Sequence, residues 1–242
     1  MWEAMDSISG GNELRATSLC QQALGVYPDC VDALAMLAEI KCERTGEYVE
    51  ERRAIEAGRR DLGDRCFAED RGDFWGLIET RPFMRAMAQL AFALLDWGTP
   101  ERIDEAIGIF EEMLDLNPND NQGVRDWLAG CYLARKRYND AAALFERYPN
   151  DWLAAPAWAR VLLAHQSDGE ARAVELLAHA RKRNAYVEQY LTGRKRRPRR
   201  RAETYSPGDE TEAVYCVDML WAAWTAHPKA RKWLKEGCAP PT

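Results

Sequence analysis

The sequence predicts an all-α fold, an α-α superhelix in which helix pairs stack as a solenoid and a C-terminal helix caps the stack. Three observations lead there. Strand-type alternation is nearly absent, while apolar residues recur at intervals of three and four through most of the 242 residues. The helical stretches come in pairs joined by short polar turns, and successive pairs repeat at about 34 residues. A tryptophan-bearing amphipathic segment follows the last pair.

Residues 1–60 read as degenerate N-terminal helices, in which Ala16, Ala23 and Pro28 fit only the second helix of a first pair; a hairpin of 30–44 with 47–60 follows. Residues 61–80 break the register by about half a repeat. They are polar and glycine-containing up to Gly72, then aromatic at Phe74-Trp75-Gly76-Leu77-Ile78, which predicts an irregular connector with a short anchoring helix. Over residues 81–183 the hairpins are 81–97 with 101–116, 120–135 with 138–148, and 152–166 with 169–183. In the clearest of these helices Ile103, Ala106, Ile107, Phe110, Met113 and Leu114 draw one apolar stripe, and Pro118 prevents its continuation. Residues 184–208 form a basic loop segment, and 209–242 form C-terminal capping helices. The capping helix opens with Asp209-Glu210-Thr211-Glu212, close to a capping box, and carries Val214, Val217, Leu220, Trp221 and Trp224 as a lid for the last pair. Most of the nine tryptophans are expected to pack between helix pairs.

Individual positions resemble the tetratricopeptide repeat. Ala106, Phe110 and Pro118 match the small, aromatic and proline positions of its second helix and following turn; Leu128, Ala129 and Tyr132 match a first helix; Ala141 and Phe145 match the next second helix. The small residue lets two helices approach closely, and the aromatic fills the groove between neighbouring pairs. A further resemblance rests on Glu79-Thr80-Arg81-Pro82, the stretch from Leu116 to Arg125, Tyr190-Leu191-Thr192-Gly193 and the stretch from Pro207 to Ala213. These look like proteins related to the suppressor of tumorigenicity seven family, over about residues 75–235. That resemblance implies a scaffold of tetratricopeptide-like helices with no catalytic residues to carry over; the membrane segments of its longer animal members have no counterpart in this sequence.

Composition excludes several classes. No run of apolar residues reaches membrane-spanning length: the stretch from Met87 to Leu95 is interrupted by Gln89. The N-terminus lacks a basic and an apolar region of signal type, so a cytoplasmic protein is expected. Seven cysteines, an odd number without a CxxC spacing, read as reduced thiols. His165, His179 and His227 have no cysteine or second histidine in helical register, so no metal site is expected. There is no nucleophile elbow, phosphate loop or dinucleotide turn. No catalytic residue and no cofactor are predicted.

The expected function is therefore non-catalytic: an adaptor or scaffold holding a partner peptide or helix in the concave groove. Arg81, Arg85, Asn121, Gln122 and Arg125 sit on or just before first helices, where arginine forks and an amide suit a carboxylate or a peptide main chain. The blander reading of this region is capping, with Asn119 or Asp120 as an N-cap and Pro82 in a first turn. A second feature is the run Arg194, Lys195, Arg196, Arg197, Pro198, Arg199, Arg200 and Arg201. Removing its seven charges from the net −6 leaves −13 on the rest. Such a run suits an anion-binding site on an acidic body, and the alternative function is an anion- or nucleic-acid-associated accessory protein. Without interleaved aromatics it does not suit base stacking, and it serves equally as a loop folding back on acidic neighbours. The partner is expected to be another protein, with nucleic acid as the alternative and no membrane.

Overall fold

The computed structural model describes residues 2–41, 48–198, 202 and 204–236, and among them are thirteen α-helices and no strand. Arg199, Arg200, Arg201, Cys42, Cys238 and the expected helix ends at 44 and 47 lie outside the described residues. The chain forms two compact units, Met1–Val124 and Arg125–Thr242.

In the first unit α1 (Trp2–Ser9) packs on α2 (Glu13–Val26), α3 (Val31–Lys41) on α4 (Val49–Glu69), and α5 (Arg81–Trp97) on α6 (Pro100–Leu116). The N-terminal pair is thus complete in outline: α1 supplies the first helix that the sequence did not reveal. It buries Ala4 beside Ala16, Cys20 and Ala33. Asn12 caps α2 by accepting from the Arg15 N–H at 3.1 Å. Helix α5 carries proline in its first turn and stops at Gly98, whose φ of 63° suits a residue without Cβ. Ala106 and Phe110, the small and aromatic positions of α6, are both fully buried. Burial of a phenylalanine ring contributes about 1.5–3 kcal/mol.

The expected connector at 61–80 is otherwise. Helix continues to Glu69, bent at Gly63, which has φ 66° and ψ 163°. From Phe74 to Ile78 the chain forms turns in place of the expected short helix. The Gly76 N–H donates to Asp73, and the Thr80 hydroxyl donates to the carbonyls of Phe74 and Leu77. Those carbonyls are thereby satisfied by a side chain and not by a helical ladder. Phe74 is fully buried and anchors the segment: its ring lies 5.1 Å from Phe67 and 6.4 Å from Phe83, centroid to centroid.

In the second unit α7 (Arg125–Ala134) pairs with α8 (Tyr138–Arg147), and α9 (Ala154–Ser167) with α10 (Glu170–Arg183); α11 (Tyr186–Leu191), α12 (Glu210–Ala226) and α13 (Pro228–Glu236) follow. Helix α7 begins five residues later than the expected 120, because Asp120 and Gly123 both adopt positive φ, 50° and 69°. Asp120 serves this turn, its carboxylate accepting from the Val124 N–H at 2.8 Å. Asn119 is exposed and makes no such bond.

Helix α12 departs from the expected lid. It packs across α7 and α9, the first helices of two successive pairs, and against α11 and α13. Gly130, in the middle of α7, permits this approach: a Cβ there would stand 2.1 Å from the Met219 carbonyl oxygen. Val217, Leu220 and Trp224 are fully buried along the contacting helix.

Candidate functional site

The expected groove residues divide between the two units. In the first, Arg81 and Arg85 stand one turn apart on α5 and therefore on one face. Arg81 donates from Nε to the Trp75 carbonyl at 2.9 Å and lies over that indole, 5.7 Å from its centroid. Arg85 donates to both carboxylate oxygens of Asp32 on α3, at 2.7 and 3.1 Å. Two amides run parallel to this pair: Gln89 donates to the Ala35 carbonyl at 3.0 Å, and Gln122 to the Met84 carbonyl at 3.3 Å. Asn121, beside it, is exposed. The structure thus brings Arg81, Arg85 and Gln122 to one α5-centred face, but as latches within the unit. The Arg85 side chain remains 45% exposed and that of Asp32 23%. In that setting an ion pair contributes only ~0.2–1 kcal/mol and exchanges readily with an incoming carboxylate or cation.

Arg125 has a different role. Its guanidinium grips Asp151 through two bonds, Nε to Oδ2 at 2.8 Å and Nη2 to Oδ1 at 2.6 Å, and lies 5.1 Å from the Tyr148 ring centroid. Asp151 is almost enclosed, with 9% of its side chain exposed. This pair fastens the loop after α8 to the start of α7. The first-helix face of this unit is covered by α12, so the expected groove there is filled by the chain itself.

Glu212 holds α12 in that place. Its buried carboxylate accepts from the Ala154 N–H at the start of α9 at 2.9 Å, from the Asn184 amide at 3.0 Å and from the Gly208 N–H at 2.7 Å. Negative charge at the N-terminus of α9 also complements the helix dipole. Asn184 extends the network: its amide donates to the Asp209 carbonyl at 2.7 Å, and its own backbone carbonyl accepts from the Trp158 indole N–H at 3.2 Å. Asp209 caps α12 as expected, accepting from the N–H groups of Thr211 and Glu212. Bonding from the Thr211 hydroxyl, then from the Glu212 N–H, holds the Asp209 carboxyl below its usual range.

The basic segment folds back on acidic helices. Lys195 pairs with Glu210, Arg197 with Asp218 at 3.1 Å, and Arg194 approaches Glu188 at 3.7 Å. Arg196 is exposed, and Arg197 also stacks over Trp221, 4.2 Å from the ring centroid. The fold-back is the alternative reading of this segment in the sequence; the contact with the indole is not legible there, because Trp221 falls on the apolar stripe of α12.

Several titratable side chains of the second unit are buried. Burial pushes the Cys131 thiol up to about 12 and that of Cys216 well above its usual value, so both stay protonated. His227 is buried, with Nδ1 on the Ala223 carbonyl at 2.7 Å and Nε2 against the Tyr138 hydroxyl at 2.8 Å. The contact with the Ala223 carbonyl requires a proton on Nδ1. Burial lowers the His165 pKa. Among the described residues no three His, Cys, Asp or Glu side chains gather as a metal site, and no helix is long and apolar enough to cross a membrane.

The family model of the tetratricopeptide repeat matches residues 100–164, from α6 into α9. No curated protein and no solved structure matches the chain. The match supports the tetratricopeptide superfamily, and repeats of this kind generally mediate protein–protein interaction.

Proposed function

We propose that this chain is a non-catalytic scaffold or adaptor that binds a partner protein on the α3–α5 face of its first unit. The observation that carries the reading is the match of residues 100–164 to a repeat whose general role is to bind other proteins. Two features favour that face. The second unit's equivalent face is filled by α12, whereas α5 presents Arg81, Arg85 and the neighbouring Asn121 and Gln122 beside α3. The Asp32–Arg85 pair, part exposed, offers both signs of charge to a docking peptide or helix. Helices already formed lose little further entropy on docking, so the ordering cost falls on the partner segment. We also read the chain as a relative of the suppressor of tumorigenicity seven proteins, acting in the cytoplasm; neither reading adds a catalytic residue.

The test is affinity purification of the tagged full chain, with an Arg85→Ala, Gln122→Ala double variant in parallel. A stoichiometric protein partner lost from the variant, whose circular dichroism and melting temperature match wild type, is the expected result. Undiminished partner capture by the variant would remove this face from consideration. An Arg125→Ala variant serves as control and should keep the partner.

A further inference from the structure

The second unit carries a surface whose charge opposes that of the whole chain. An open cleft of about 490 Å³ is lined by Thr192, Pro228, Arg231, Lys232, Lys235 and Glu236. Three cations there face one carboxylate, in a chain of net charge −6. Many arginines meet carboxylates, such as Arg59 with Glu112, Arg60 with Asp29 and Arg181 with Glu188, whereas Arg81 and Arg160 donate to backbone carbonyls. Arg231 is of the second kind. Its Nε donates to the Leu191 carbonyl at 2.7 Å and its guanidinium lies 4.7 Å from the Trp221 centroid, leaving its Nη groups without a carboxylate among the described residues. Lys235 and Arg196 also have no ion-pair partner among the described residues. Lys232 reaches Glu236 at 3.8 Å with both side chains well exposed, a pair that contributes almost nothing against an incoming anion.

The cleft runs into the basic segment. Thr192 forms part of its wall and Arg194 follows two residues on, while Arg197 and Arg231 stack on the same indole of Trp221. Cations therefore occur on both α13 and the segment after α11: Arg196, Arg231 and Lys235 have no carboxylate partner among the described residues, and Arg194, Lys195 and Arg197 stand beside them in part-exposed ion pairs. The unpaired cations stand on two separate elements, α13 and the segment after α11, which suits an extended chain of phosphates better than one compact phosphate. The aromatics around the patch are already engaged: Trp221 by the Arg197 and Arg231 guanidinium groups, Tyr190 by Lys195 and Glu210, and Trp233 by Glu170.

We propose that the cleft beside α13, together with Arg194 to Arg197, binds the phosphodiester backbone of a nucleic acid without reading its base sequence. This goes beyond the protein-binding role and uses different residues. Contact with about three to seven phosphates gives a slope of log affinity against log salt of about −2 to −5 for a single strand.

The experiment is fluorescence anisotropy of the full chain with a labelled, mixed-sequence single-stranded RNA across a salt series. Binding at low salt with that slope, equal for poly(A) and poly(U), is expected. The Arg196→Ala, Lys235→Ala variant removes no side-chain hydrogen bond or ion pair among the described residues and should flatten the slope by about 1.4, at unchanged circular dichroism. A second variant, Arg231→Gln, should weaken binding on its own. Absence of RNA binding at low salt overturns the proposal, as does a slope unchanged in both variants. Displacement of the RNA by inorganic tripolyphosphate at equal phosphate concentration would show a compact anion site, and equally tight binding of polyglutamate would show an acidic-peptide site; either contradicts it.

Discussion

Alanine at position 130 is the sharpest test of how α12 is seated. In the middle of a solvent-facing helix, Gly→Ala stabilises by about 0.5–1 kcal/mol through backbone entropy and helix propensity. At Gly130 the new Cβ would meet the Met219 carbonyl oxygen at 2.1 Å and the carbonyl carbon at 3.2 Å. These are backbone atoms of α12 and cannot swing aside. Restoring ordinary contact requires the two helices to part by about 1 Å, and a gap of that size forfeits a quarter to a half of each dispersion well along the seam. Overpacking of this kind costs about 1–3 kcal/mol, and the neighbouring Leu220 and Val217 are fully buried, which places the loss toward the upper end. After the propensity gain is subtracted, a net destabilisation of about 2 kcal/mol is expected, or about 4–8 °C in melting temperature for a chain of this size. The assay is thermal or urea denaturation, with Gly108→Ala as reference. Gly108 is exposed on α6 with nothing within 4 Å of its would-be Cβ, so that variant should be stabilised. A Gly130→Ala protein as stable as the Gly108→Ala protein would refute the close seating of α12 on α7.

Glu212→Gln should cost about 1–3 kcal/mol in chemical denaturation, because an amide NH2 would replace an acceptor facing the donors of Ala154, Asn184 and Gly208. Arg125→Ala should lower stability by about 2 kcal/mol, chiefly by stranding the enclosed Asp151 carboxylate, and a loss under 0.5 kcal/mol would show that the pair is ornamental. His165 favours its neutral form when folded, its pKa lying below the unfolded value of about 6.5. Its contribution is therefore complete above that pH and is lost as pH falls below it; melting temperature measured from pH 8 down to pH 5 should fall less steeply for His165→Gln. Cys131 and Cys216, buried and protonated, should resist alkylation in the native chain and react once it is unfolded in urea.

How much of this was readable in the sequence depended on the range of the interaction involved. Periodicity located α5, α6 and α10 to within a residue of their ends, because the stripe in each is decided by contacts three and four residues apart. Local chemistry also exposed the Asp209 cap. Three features escaped. Phe74 to Ile78 had an apolar pattern suited to a helix, yet the Thr80 hydroxyl captured the carbonyls that a helix would have needed. The groove residues were expected to face solvent, but their partners, Asp32 for Arg85 and Asp151 for Arg125, lie 53 and 26 residues away, beyond any local pattern. The position of α12 was hidden for the same reason. Its one signal was Gly130, a glycine inside an otherwise good helix between Ala129 and Cys131, where close approach of another backbone is a standing explanation.

The most direct measurement is hydrogen–deuterium exchange of the full chain alone and with the protein recovered by affinity purification. Added protection confined to residues 31–41 and 81–90, with α12 protected equally in both states, is the expected result. Protection instead on α7 and α9, accompanied by faster exchange across residues 210–226, would mean that the partner displaces α12 from its face, and would contradict the scaffold described here.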